Sequence, residues 1–226
     1  MRILLPACLW CALAASGLQA EERCFVVLLA SEAPDQAPRR AHTFATFLKI
    51  EITKSGGAMV TKTLETATIS WLPASGNIRL LALPERGRNF DLAESLAWAK
   101  ERGLESTTVR GPFEISKDLY KRALEQKEWL ESGAVAYKAL DGRLRPQIAI
   151  NCIHAVSDLI PGPLLPTGTA HGDAATALVA EHFRPHLTDA ERSHLWAFRH
   201  LDLNGEPLVV QNDPGTRTVS TPTFAE

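Results

Sequence analysis

The stretch HTFATFLKIEITKSGGAMVTKT, residues 42–63, decides the fold class. Over 42–53 the pattern alternates: Phe44, Thr46, Leu48 and Glu51 interleave with Ala45, Phe47 and Ile50. A period of two predicts a strand with one packed face, because successive side chains point to opposite sides of a sheet. Ser55-Gly56-Gly57 then supplies a hairpin turn, and residues 58–63 return as the partner strand. Upstream, CFVVLLA (24–30) is a short apolar run of the kind found in buried strands. Downstream, 66–72 and 78–83 read as two more strands split by the turn at 73–77. The first third of the chain therefore predicts an antiparallel sheet.

Helices follow. Asp91-Leu92-Ala93-Glu94 is a capping-box pattern, with Leu92, Leu96, Ala97 and Ala99 turned inward and Gly103 at the stop. Residues 107–113 suit a strand. Ser116 caps a second helix running to Leu130, and Gly133 closes it. Short strands are expected at 134–140 and 147–151, around an Asp141-Gly142 turn. A helix over 151–159 opens with Asn-Cys, a Pro/Gly-rich loop fills 161–172, and helices are expected at 173–183 and from Thr188 to about His200. The fold class is α+β, an antiparallel sheet packed by several helices. One domain spans 21–212, and a frayed tail follows over 213–226, where Pro, Gly, Thr and Ser dominate.

The 226 residues are 45% hydrophobic and 22% charged, which suits a folded chain rather than a disordered one. A formal charge of -2 argues against nucleic acid or an anionic membrane surface as the main partner. Past the N-terminus no run of about 18 apolar residues appears, so no transmembrane segment is expected. Residues 1–20 have the layout of a secretory signal peptide. Arg2 is the positive end, 3–15 are apolar, and 16–20 are small or polar apart from Leu18, with cleavage after Ala20 fitting best and after Gly17 the alternative. A lipoprotein reading at Cys8 fails because too few apolar residues precede it. The mature protein is thus expected to be exported, periplasmic or extracellular. It would keep two cysteines, Cys24 and Cys152. In an oxidising compartment such a pair most often forms a disulfide, here closing a loop worth about 4–5 kcal/mol in the chain-entropy model.

Two segments carry candidate chemistry. His42 stands at the mouth of a strand, and Asn151-Cys152-Ile153-His154-Ala155 marks the passage from a strand into a helix. A helix N-terminus favours a thiolate through its unpaired N–H groups and dipole. An imidazole nearby would deprotonate the thiol, and the same N–H groups would stabilise an oxyanion. His154 is two residues beyond Cys152, some 200° around a helix, so it is expected to bond under the following loop rather than act as base. That loop is a candidate lid, and His171 within it is the reserve base. Trp71, Trp98, Trp129 and Trp196 read most simply as core and edge packing, with Trp71 as a cleft wall the alternative. His182 and His186 have helical ligand spacing, but Pro185 separates them and no carboxylate pattern accompanies them, so no metal is expected. No cofactor is expected either.

A strand histidine followed about a hundred residues later by Asn-Cys at a helix start resembles the circularly permuted papain-like hydrolases and transferases. That group includes the lecithin retinol acyltransferase relatives. Their cysteine motif reads Asn-Cys-Glu-His-Phe, and here Asn151, Cys152 and His154 match while Ile153 and Ala155 depart. The resemblance implies Cys152 as nucleophile and His42 as base. It brings Asn151 into the site, and it places a third polar residue on the following strand, where Ser70 and Thr68 are the occupants. The function it implies is a cysteine hydrolase or acyltransferase acting on an amide, peptide or ester, with cell-envelope peptide or lipid as substrate. The rival is a non-catalytic extracytoplasmic binding or structural module, stapled by Cys24–Cys152.

Overall fold

CFVVLLA is apolar at every position because its strand is covered on both faces. In the computed structural model, which describes residues 20–55, 58–104, 106–140, 148–189, 194–201, 203, 208–211 and 218–219, the run lies in β1 (Ala20–Glu32). Cys24, Val26 and Leu28 enter one apolar cluster, and Phe25, Val27 and Leu29 enter the other. β1 is flanked by β2 (Ala41–Ser55), which pairs in turn with β3 (Ala58–Ile69) in the hairpin whose pattern opens the chain's reading. The register Ser55↔Ala58 leaves two residues for the turn.

Two strand expectations change beyond the hairpin. The segment 66–72 is divided between the end of β3 and β4 (Trp71–Pro73), and 78–83 forms no strand; β5 is Glu85–Asn89 instead. At the break the Ser70 N–H donates to the side-chain Oδ1 of Asn89 at 2.8 Å in place of a ladder bond. Then come α1 (Leu92–Glu101), β6 (Ser106–Ile115), α2 (Lys117–Glu131), β7 (Val135–Tyr137) and β8 (Ile148–Ile150). β7 and β8 pair in parallel, so they do not form a simple hairpin; the expected turn at 141–142 lies outside the described residues. α3 (Cys152–Ser157) and α4 (Gly172–Phe183) flank the Pro/Gly loop, and β9 (Leu208–Val210) and β10 (Thr218–Val219) end the described chain. In place of the last α-helix, residues Leu195–His200 form a 3₁₀ turn. The tail expected to fray contributes β10, which pairs antiparallel with β9. The expected signal segment, apart from Ala20, lies outside the described residues.

The large sheet has the order β10-β9-β6-β1-β2-β3, antiparallel except for β6 with β9. A small sheet, β4-β5-β7-β8, stands beside it. α2, α3 and α4 cover one face of the large sheet, burying Leu119, Ala123, Ile153, Val156, Val179 and Phe183. The other face is closed by Ala197, Phe198, Leu201 and Leu203, with Leu96 from α1. This is an α+β fold with an antiparallel-dominated sheet. Among the described residues no helix is long and apolar enough to cross a membrane.

Candidate functional site: the cavity beside Cys152

Asn151 ends β8 in an extended conformation, and its Oδ1 accepts the backbone N–H of His154 at 2.9 Å. That bond caps α3 and sets Cys152 at its first position. Cys152 is 8% exposed and forms part of the wall of a cavity of about 300 Å³. The cavity lies between the cysteine helix, the start of β2 at Ala41 and Thr43, Tyr137 of β7, and the loop residues 167–172. The Pro/Gly loop expected as a lid therefore does form part of the enclosure. Most of the remaining wall is apolar, including Ile78, Ala139, Ile153 and Ala170.

Four polar side chains around the cavity, Thr43, Asn151, His154 and His171, are turned onto the backbone. The Nε2 of His154 lies 3.0 Å from the Leu165 carbonyl, the bond under the loop that its position predicted. His171 faces two carbonyls, Nδ1 to Thr169 at 2.9 Å and Nε2 to Gln36 at 2.6 Å. Thr43 donates to the Gly172 carbonyl at 3.2 Å. These bonds hold the 161–172 loop against both α3 and the β1–β2 connection. The cavity wall is thereby fixed by hydrogen bonds that a ligand does not need to supply.

His42 is elsewhere. Alternation along β2 sends it to the side of Phe44, on whose ring it stacks at 5.1 Å, while Thr43 and Ala45 face the Cys152 side. The edge of Trp98 closes on it at 5.4 Å. Its Nε2 meets Ser70 Oγ at 2.8 Å, and Ser95 Oγ donates to that same hydroxyl at 2.7 Å. The His42–Ser70 contact brings together two of the four site residues named from sequence, and Asn151 with Cys152 are the other two. The backbone of β2 separates the pairs, so the expected Cys152–His42 pairing is not formed. Burial drives the His42 imidazole down to about 3, because the interior offers no solvation for a cation. Its Nδ1 is buried without a hydrogen-bond partner among the described residues. Such a ring is neutral packing material rather than an accessible base.

Cys24 and Cys152 both belong to the helix-covered cluster, yet no disulfide joins them. Burial pushes the Cys24 thiol up, away from the reactive range. Sequence reasoning missed Ser95, Thr43 and Tyr137. Ser95 lies in a clear helix pattern, but only tertiary packing turns its hydroxyl to Ser70. Among the described residues no three metal-ligating side chains cluster. A scan against protein-family models and searches of curated proteins and of solved structures find no match for this chain.

Proposed function

We propose that this chain is a non-catalytic extracytoplasmic binding module, whose ligand is a small, largely apolar molecule seated in the cavity beside Cys152. The observation that carries this reading is the cavity itself. It encloses about 300 Å³, near the lower end for small-molecule sites, within largely apolar walls where the His154 and His171 rings are engaged by backbone carbonyls. Binding there draws on apolar burial, and the preformed wall limits the ordering cost. Extracytoplasmic placement comes from the N-terminal pattern. The disulfide staple first attached to this reading is absent, and the two apolar layers take its place.

The test is a thermal-shift and calorimetric screen of the mature chain with short linear alcohols, ketones and aromatic hydrocarbons. A ligand that fits raises the melting temperature and slows alkylation of Cys152 by iodoacetamide. The variant Ala170→Trp, which fills the cavity, loses both effects. No stabilising ligand, together with unchanged alkylation, overturns the reading.

A second reading keeps the thiol chemistry, and the position of Cys152 in the cavity wall with His154 and His171 favours it. In it the thiol attacks an ester or amide carbonyl held in the cavity while a base other than His42 takes its proton; the C–O or C–N bond breaks, the alcohol or amine leaves with that proton, and water hydrolyses the thioester to free the acid and the thiol. Its signature is turnover of short p-nitrophenyl esters that Cys152→Ser abolishes without lowering the melting temperature.

A further inference from the structure

Outside that cavity, four arginines converge on one groove. Arg39 and Arg40 come from the connection before β2, Arg79 from the segment after β4, and Arg102 from the C-cap of α1. The groove encloses about 580 Å³, and Ile78 and the Trp98 indole contribute apolar wall. A guanidinium does not release its proton in a protein, so the groove keeps all four charges at any ordinary pH. Two are balanced: Arg40 Nη1 lies 3.3 Å from Asp35 and Arg79 Nη2 lies 3.1 Å from Glu85. The other two meet no carboxylate among the described residues. Arg102 donates to the neutral Asn77 Oδ1 at 2.8 Å and sits 5.7 Å from the Trp98 ring centre. Arg39 makes no hydrogen bond or ion pair among the described residues.

The clustering is built rather than accidental at one point. Arg40 Nη2 reaches the carbonyls of Arg102 and Gly103, each at 3.4 Å, tying the β2 approach to the end of α1. Trp98 donates to the Gly76 carbonyl at 2.9 Å, which holds the 73–77 turn, and with it Asn77, against the same helix. The result is one unbalanced cation, Arg102, held on this frame, with a second, Arg39, exposed beside it on the tied β2 approach, in a chain whose net charge is negative.

We propose that this groove binds a doubly charged oxyanion, the phosphate of a phosphomonoester, between Arg39 and Arg102, with Arg79 and Arg40 on its flanks. Two unbalanced positive charges match the dianion, and the planar fork of each guanidinium suits paired phosphate oxygens. The apolar wall at Trp98 and Ile78 accommodates whatever group the phosphate carries. The site shares the Ile78 wall with the Cys152 cavity but none of its charged groups, and it survives the failure of that reading.

The experiment is titration of the mature protein with inorganic phosphate and with phenyl phosphate, followed by calorimetry and melting temperature at low and high salt. Saturable binding that weakens with salt is expected, with phenyl phosphate at least as tight as phosphate. Arg39→Gln, at an exposed position outside the α1 frame, should weaken it about tenfold or more, and Arg79→Gln should weaken it less. Lys117→Gln, on α2, should leave it unchanged. Sedimentation with phosphatidate vesicles, against phosphatidylcholine vesicles, separates the sources. Pelleting lost in Arg39→Gln assigns a lipid headgroup; phosphate binding without pelleting assigns a soluble phosphomonoester. Absence of saturable phosphate binding, or equal binding by Arg39→Gln, overturns the proposal.

Discussion

His42 shows how one side chain can satisfy a motif and still serve the interior. It was legible as a candidate base because a histidine heads a strand, but the strand's own alternation commits it to the Phe44 side. Its neutral, buried state has a measurable consequence. As pH falls below about 6.5 the unfolded chain takes up a proton that the folded chain refuses until about pH 3. Stability should therefore drop by about 1.4 kcal/mol per pH unit across that window from this residue alone, and the contribution should be complete above it. Urea unfolding between pH 4 and 7 should show that slope, and His42→Gln should flatten it while keeping a partner for Ser70. Gly87 is a second residue whose identity only packing explains. A Cβ there would collide with the indole of Trp71, a ring just 1% exposed. Trp71 is core, the simplest reading of the tryptophans, rather than the cleft residue of the alternative. Gly87→Ala should cost about 1–3 kcal/mol as an overpacking change, read from the denaturant midpoint.

At the scale of elements, the caps were the most legible features. Asp91 accepts from the Glu94 N–H at 2.7 Å while Glu94 returns a bond to the Asp91 N–H at 3.1 Å, the reciprocal box that the residue types require. Ser116 and Asn151 cap α2 and α3 by the forward bond alone, accepting from the Leu119 and His154 N–H groups. Caps are local, satisfied within four residues, so sequence suffices to find them. Asn151→Ala should destabilise the protein by about 1 kcal/mol. Because the same short helix carries Cys152 and the His154 anchor for the loop, it should also speed Cys152 alkylation, measured under native conditions. The short strands were far less legible. β4, β7 and β8 have three residues each, too few to show a period, and what pairs them lies far along the chain.

Across the whole molecule, stability rests on two apolar layers that share one sheet. Leu28 and Leu29, adjacent in sequence, belong to different cores. No covalent staple crosses them, so the melting temperature should be the same in oxidising and reducing buffer. A fall of several degrees on reduction would restore the Cys24–Cys152 bridge. Native alkylation should also modify Cys152 well before Cys24, whose thiol is 2% exposed and held protonated by burial; mass mapping of the labelled peptides checks the order.

By itself the sequence determined the α+β class, the hairpin, the first two helices with their caps, and the helix start at Cys152. Each follows from periodicity or from bonds closed within a few residues. Tertiary structure alone decided that Cys152 and His42 stand on opposite sides of β2, that the thiols are unbridged, and that four arginines meet. Those outcomes depend on strand order and side-chain parity summed over distant segments. Such information is distributed through the packing, and no single stretch contains it.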